Sequence, residues 1–197
     1  MLKKLLSGIG NFILDTLEVV VLAVALFALG YLFIVQTHQV NGASMEPSFS
    51  DNNYLLTEKV TYYFRDPKRG ETVVFKYPKA PEYDYIKRVI GLPNESILIE
   101  NGEIKIFNPS HPEGVTLQEP YLSPGTKTEG DTFLNENHKF NIPQNHYIVM
   151  GDNRSGSSDS REWGLVSRSE IIGKAWIRYW PTEKLSITKT PKYPELD

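Results

Sequence analysis

Ser44 is the first residue whose surroundings suit catalysis. It lies in the segment GASMEP at residues 42–47, where small neighbours leave its hydroxyl approachable and Pro47 stiffens the backbone just after it. A serine hydroxyl attacks a carbonyl carbon when a neighbouring base removes its proton, so this serine would need a partner. The segment lacks the Gly-x-Ser-x-Gly spacing of the α/β-hydrolase elbow. On this segment alone, a serine that only forms a turn remains the alternative.

Lys87 is a candidate for that partner. In the segment YIKRVIG at residues 85–91 it alternates with apolar residues of a predicted strand, sharing a face with Tyr85 and Val89 while Arg88 points the other way. Burial on an apolar face disfavours the ammonium form, and the neutral amine can then act as a base. The alternative is a lysine whose stem covers apolar surface while its ammonium stays in water.

A third segment, GDNRSGSSDSR at residues 151–161, is dense in Gly, Ser and Asp and carries two arginines. This composition predicts a tight loop held by side-chain hydrogen bonds, with a flexible surface loop or a cation-binding turn as the alternatives. Apolar residues before it, and Trp163 and Leu165 after it, favour the fixed loop. The segment RGETVVF at residues 69–75 is interpreted as a turn that leads into a buried strand.

The composition excludes several other chemistries. The 197 residues contain no cysteine, which rules out disulfides, thiolate metal sites, iron–sulfur clusters and cysteine nucleophiles. The net charge of −3 provides no basic face for nucleic acid. No histidine belongs to a His-Glu-x-x-His arrangement, so we predict neither a metal nor a cofactor. The histidines are His38, His111, His138 and His146.

One apolar segment is long enough to cross a membrane. Residues 19–35 carry no charge and would span about 25 Å as a helix. A buried core helix would keep a polar stripe, and a cleaved signal sequence would have a shorter apolar run, so these two alternatives fit less well. Lys3 and Lys4 precede the run, and no basic residue follows it until Lys59, which predicts a cytoplasmic N-terminus.

This reasoning predicts a single-pass protein of the cell membrane. A cytoplasmic tail would occupy residues 1–16, a transmembrane helix residues 17–36 and an extracytoplasmic domain residues 37–197. Because short β-rich runs recur after the helix, we predict a mainly β fold with an antiparallel sheet. The runs lie at residues 54–57, 71–77, 85–90, 96–99, 104–107, 147–150 and 171–180.

The middle of the chain has its own character. Asn101 and Gly102 separate two of the β-rich runs, and this pair favours a type I′ hairpin. Farther on, the composition shifts to Pro, Gly, Ser, Thr and Asn, which predicts loops and short strands. We therefore expect a smaller β-rich outlying lobe at about residues 94–146.

Taken in order, the apolar anchor, the serine segment, the lysine segment and the GDNR segment resemble bacterial type I signal peptidase. That family consists of membrane-bound serine–lysine endopeptidases that remove signal peptides from exported proteins. The resemblance extends to about Trp180, and the single anchor is similar to the Gram-positive form. It implies signal peptides of exported preproteins and the lipid bilayer as partners, a monomer, and cleavage after small-x-small sites such as Ala-x-Ala.

The resemblance also implies catalytic roles by position. Ser44 would be the nucleophile and Lys87 its general base, with the Ser157 hydroxyl orienting the lysine amine. Some family members carry a serine at the position of Gly42, and its hydroxyl helps to bind the oxyanion. Here only the Ser44 backbone N–H is proposed for that task, which leaves the second donor open.

Other residues would support the site or bind substrate. Asp159 and Arg161, together with Arg88, would form a structural ion-pair cluster, in which we expect Asp159 to neutralise Arg88. We expect no carboxylate directly beside the lysine. Shallow pockets for the small substrate residues would be lined by Val40, Met45, Tyr85 and Ile86.

Two rival functions come from other classes. A self-cleaving serine–lysine protease of the phage-repressor type would carry a DNA-binding helix-turn-helix where this chain has its apolar run, and the acidic balance also disfavours it. A non-catalytic anchored β module would have lost Ser44 or Lys87, and both are present. The anchored signal peptidase therefore accounts best for the sequence.

Overall fold

The computed structural model describes the backbone of residues 2–196 and the side chains of residues 8–196. Its first element is the helix α1, which spans Leu2–Phe33. The large apolar side chains between Ile9 and Phe33 are all exposed, so no protein surface covers this part of the helix. Its 26 residues Gly8–Phe33 are long and apolar enough to cross a membrane, since they extend about 39 Å.

The helix is offset from the predicted residues 17–36. It begins at Leu2, because the stretch before residue 17 contains no proline and offers nothing else to break a helix. It ends at Phe33, because the residues from Val35 onward pair with another strand instead. The orientation depends on two lysines, at positions 3 and 4, whose side chains lie outside the described part, so it stays a prediction.

Twelve strands and two short helices follow α1 in the part of the chain that the structure describes. The helices are α2 (Thr61–Phe64) and α3 (Ser160–Trp163). The strands are β1 (Val35–Gln39), β2 (Tyr54–Glu58), β3 (Thr72–Tyr77), β4 (Ala80–Gly91), β5 (Ser96–Glu100), β6 (Glu103–Asn108), β7 (His111–Thr116), β8 (Phe140–Asn141), β9 (His146–Met150), β10 (Val166–Ser167), β11 (Ile171–Trp180) and β12 (Ser186–Ile187). The predicted fold class, mainly antiparallel β behind one N-terminal apolar helix, is confirmed.

The larger sheet carries the strands around the candidate site. Its order is β1-β2-β11-β3-β4-β9-β10, with β12 paired to β11, and its neighbouring strands are antiparallel. β1 lies at one edge and has a partner on one side only. β4 pairs with β3 along most of its length but with β9 only from Arg88 onward. The first half of β4 therefore has a free edge, as β1 does.

The second sheet has the order β7-β6-β5-β8 and contains the predicted hairpin. Asn101 and Gly102 both have positive φ, 55° and 84°, which is the backbone that a type I′ turn requires. Isoleucines of β5 and β6 pack with Ile90, Ile148 and Met150 of the larger sheet in one core. This shared core fixes the second sheet against the strands that carry the site.

Candidate active site

The segment that carries Ser44 is held by two buried side chains. Met45 and Phe49, which follow the serine, pack with Val40 and Leu55 in a core beneath the loop between β1 and β2. The Phe49 N–H also donates to the carbonyl of Met45 at 2.9 Å. Burial of the neighbouring side chain fixes the backbone of Ser44, whose own side chain stays partly exposed.

Asn153 holds the same segment from the opposite side. Its backbone N–H donates to the carbonyl of Ser44 at 3.1 Å, and its side-chain amide donates to the carbonyl of Ala43 at 3.2 Å. Asn153 lies in the loop predicted for residues 151–161, but no role was predicted for this residue. Its place in the GDNR segment was the available signal, and the structure shows that it connects this loop to the Ser44 segment.

Lys87 projects from β4 toward Ser44. The strand register pairs Lys87 with Val73 of β3, and only 4% of the lysine is exposed. Its Nζ lies 2.8 Å from Ser44 Oγ and 5.4 Å from the centre of the Tyr85 ring. The structure thus brings together the two residues predicted as nucleophile and base, although 42 residues separate them in the chain.

Burial lowers the pKa of Lys87 to about 8, although the negative charges of Asp159 and Asp152 act in the opposite direction. The two carboxylates act from a distance, because neither forms an ion pair with Lys87 in the described part of the chain. Both carboxylates are buried, and each forms an ion pair with an arginine, Arg161 and Arg88 respectively. Because arginines balance their charge, desolvation remains the dominant influence on Lys87.

Asp152 neutralises Arg88, which corrects the prediction that Asp159 does so. The Arg88 guanidinium donates from Nε and Nη2 to the two carboxylate oxygens of Asp152, at 2.8 and 2.5 Å. Ser48 donates to the same carboxylate at 2.5 Å. The chain turns between residues 152 and 159, and this turn puts the earlier aspartate against β4. The pair joins β4 to the nucleophile loop through Ser48, a contact that the sequence did not reveal.

Asp159 belongs to a separate pair with Arg161. The guanidinium donates to both carboxylate oxygens at 2.9 Å, and the Gly151 N–H donates at 3.0 Å. Burial alone would raise the pKa of Asp159, but the hydrogen bonds and charge of Arg161 and the N–H of Gly151 hold it below its usual range. Asp159 also accepts from the Arg161 N–H at the start of α3, so this pair fixes the loop that ends there.

Ser157 does not make the predicted hydrogen bond to the Lys87 amine. Its buried Oγ lies against the Asp159 carboxylate, whose pKa it helps to lower, although the geometry falls short of a full hydrogen bond. The hydroxyl also packs against Gly151, where an added Cβ would lie 2.2 Å from Ser157 Oγ and 2.4 Å from the carbonyl oxygen of Ser44. Close packing at this glycine therefore sets the position of Ser157.

Gly151→Ala is expected to lower the peptidase activity that the resemblance implies at least about 100-fold, because the new methyl group must displace the Ser44 carbonyl and with it the Ser44 side chain. The measurement is kcat/KM on a preprotein, together with the melting temperature. Gly10→Ala is the matched control, since nothing lies within 4 Å of an added Cβ there. Full activity of Gly151→Ala would contradict the close packing described above.

The four residues predicted to bind substrate divide into two groups. Met45 lies in the core beneath the loop and is not among the residues that line the cleft beside the site. Val40, Tyr85 and Ile86 line a cleft of about 430 Å³ between the end of β1 and the first half of β4. Leu55 adds to its apolar wall. This cleft lies beside the free edges of both strands.

His38 also lines that cleft and was not given a role. Its Nδ1 lies 2.9 Å from Thr57 Oγ1, and its Nε2 lies 3.3 Å from a carboxylate oxygen of Asp84. Burial lowers the pKa of His38 even though Asp84 acts to raise it. Among the described residues, no group of three or more His, Asp or Glu side chains is placed to hold a metal ion.

Comparisons with known proteins agree on one family. The family model "Signal peptidase, peptidase S26" matches residues 13–180. Signal peptidase IB of Staphylococcus aureus (strain MRSA252) is 34% identical over 187 residues, covering 89% of this chain and 93% of that protein. Signal peptidase I of Bacillus caldolyticus is 34% identical over 171 residues, covering 83% of this chain and 90% of that protein.

Two further matches come from other bacteria. A probable signal peptidase I-2 of Synechocystis is 34% identical over 160 residues, covering 79% of this chain and 67% of that protein. A crystal structure of a signal peptidase I from Enterococcus faecalis aligns with 26% identity and a TM-score of 0.43, covering 56% of this chain and 97% of that one.

Proposed function

We propose, from the premise that this chain belongs to the signal peptidase family, peptidase S26, that Ser44 and Lys87 form its catalytic pair. Family membership makes the chain a serine-type signal peptidase, a hydrolase that cleaves signal peptides. The further proposals are the roles of these two residues, cleavage after small-x-small sites of exported preproteins, and anchoring by α1 with a cytoplasmic N-terminus. The separation of 2.8 Å between Ser44 Oγ and Lys87 Nζ carries the catalytic proposal.

In the proposed reaction, the neutral Lys87 amine takes the proton of Ser44 while Oγ bonds to the carbonyl carbon of the scissile peptide. The Lys87 ammonium then gives this proton to the leaving amine, the C–N bond breaks, and the signal peptide remains as an ester on Ser44. Lys87 next takes a proton from water, which attacks the ester, and that proton returns to Ser44 Oγ. These steps use the two side chains and water.

One backbone donor is available for the oxyanion that forms in each step. The Ser44 N–H donates no hydrogen bond within the described part of the chain. The Gly42 N–H is occupied, because it donates to a carboxylate oxygen of Asp51 at 2.7 Å. We therefore assign the Ser44 N–H to the oxyanion.

The cleft between β1 and β4 suits the signal-peptide side of the scissile bond. Two free strand edges border it, and an extended peptide can pair with such an edge. Val40, Leu55 and Ile86 supply apolar walls in a space of about 430 Å³. A peptide paired with such an edge presents alternate side chains to these walls, which fits a specificity set at two positions separated by one residue.

Membrane anchoring rests on α1. Its exposed apolar surface would be unfavourable in water, whereas a bilayer would bury it. Confinement to the bilayer would place the enzyme on the same surface as a preprotein whose signal peptide is also apolar, which raises their effective concentration. A signal peptide in the lipid bilayer is thus the proposed partner, and a monomer is sufficient for the reaction as described.

A preprotein with Ala-x-Ala before its junction is expected to be cleaved after the second alanine. Leucine in place of that alanine should lower kcat/KM at least about 100-fold, because the added volume has to fit a closely bordered pocket. Leucine at the middle position x is the matched control and should change the rate only slightly. Mass spectrometry of the products identifies the bond. Equal cleavage of both leucine substrates would contradict the proposed specificity.

A further inference from the structure

A second and larger cleft adjoins the nucleophile. It has a volume of about 960 Å³ and lies between the loop after Ser44, the loop at residues 152–161 and the lobe segment at residues 123–131. Asn153 lines it and also donates to the carbonyl of Ser44, so the cleft adjoins the Ser44 segment, although Ser44 and Lys87 themselves do not line it. Ser157 lines this cleft too.

The chain passes Ser44 between the two clefts. Val40 and Asn41, which precede the serine, line the smaller cleft, whereas Glu46 and Pro47, which follow it, line the larger one. No residue lines both. A peptide whose scissile carbonyl lies at Ser44 Oγ can therefore extend into one cleft with its acyl side and into the other with its leaving-group side.

The lining of the larger cleft is polar and carries excess negative charge. Its residues include no Val, Ile, Leu, Phe, Tyr or Trp. Among the described residues, the carboxylates of Glu46, Glu129 and Asp131 form no ion pair. Lys127 also lines the cleft and forms no ion pair in the same part of the chain, so it is the one unpaired positive charge beside these three negative charges. The remaining charged lining residues are balanced by ion pairs. They are Asp152, Arg154 and Arg161.

We propose that this cleft binds the first residues of the mature protein, on the leaving-group side of the bond, and favours basic over acidic side chains there. The inference rests on the proposed function. The smaller cleft lies beside two free strand edges and has Val40, Leu55 and Ile86 in its wall, which suits an extended signal peptide. This leaves the larger cleft, whose lining has no such apolar side chains, for the hydrophilic mature chain. The carboxylates attract Lys or Arg and repel Asp or Glu across solvent, so the preference is moderate and sensitive to salt.

The test compares two peptides that are identical through the Ala-x-Ala site and differ only in carrying Lys or Glu at the third mature position. The full-length protein in detergent micelles at low ionic strength should show kcat/KM about 3–10-fold higher for the Lys peptide. The double substitution Glu129→Lys with Asp131→Lys should reverse this order. Raising the salt to about 0.5 M should bring the wild-type ratio close to one.

The double substitution Glu103→Lys with Glu113→Lys is the matched control. It makes the same change of charge at exposed positions of the second sheet that do not line the cleft, and it should keep the wild-type ratio. Equal ratios in the wild type and in both double variants would overturn the inference while leaving the proposed function intact. Failure of the wild type to cleave either peptide would overturn the proposed function and this inference together.

Discussion

Lys87→Arg is expected to abolish cleavage, with kcat/KM falling at least about 1,000-fold. The guanidinium keeps its proton throughout the accessible pH range, so it cannot take the proton of Ser44. The measurement is preprotein cleavage by the purified variant at several pH values. Raising the pH should not restore activity, because no accessible pH frees a lone pair on arginine.

Arginine is also larger than lysine, and the site is buried, so a second variant separates chemistry from folding. Lys87→Met keeps an unbranched side chain beside Val89 and Tyr85 but has no amine. It should be equally inactive while its melting temperature is not lowered, since burial already disfavours the ammonium that it removes. Substantial cleavage by folded Lys87→Met would show that another group takes the proton.

Ser44→Ala should lower kcat/KM at least about 10,000-fold, because the hydroxyl is the proposed nucleophile and the methyl group cannot replace it. The fold should be retained, because Met45 and Phe49 hold this loop through burial and Asn153 holds it through backbone carbonyls. Cleavage is measured on the same preprotein, with the melting temperature as the control for folding. Ser110→Ala offers a matched control, since that hydroxyl is exposed and lines neither cleft.

Retention of more than a few per cent of wild-type cleavage by Ser44→Ala would contradict the assignment. If Ser44→Ala loses both its activity and its folded state, the variant Ser44→Cys distinguishes a missing nucleophile from a failure to fold. A thiol keeps a nucleophile at the same position, so a folded Ser44→Cys protein that is acylated by substrate would support the role of this position. A folded but unreactive thiol would count against it.

The apolar runs in the sequence were sufficient to predict the main strands. The run at residues 171–180 has the same limits as β11, and the runs at residues 54–57 and 147–150 each fall one residue short of β2 and β9. These strands supply buried residues to the cores, so their apolar pattern follows from their position.

The strands that were missed have a different composition. β1 lies at an edge and consists of polar residues after Val35, which was assigned to the apolar run of the anchor. β7 contains Pro112 and Gly114, which predict a loop rather than a strand. β8, β10 and β12 are two residues long, too short for any periodicity to show. Pairing with neighbours, not local preference, forms these strands.

The site was predictable in its residues but not in its contacts. The residue types and order along the chain identified Ser44 and Lys87, yet their approach depends on the register of β4 and on the loop that Met45 fixes. The partner of Arg88 was assigned to Asp159 instead of Asp152, because both aspartates lie in one irregular loop whose turn the sequence does not specify.

The central claim is that a neutral Lys87 activates Ser44, and a pH–rate profile tests it most directly. Because burial lowers the pKa of Lys87 to about 8, kcat/KM should rise about tenfold per pH unit below that value and level off above it. The full-length protein with a short Ala-x-Ala peptide gives the measurement. A profile that is flat between about pH 6 and 10, or one whose rise is centred near the ordinary histidine value of about 6.5, would contradict the account.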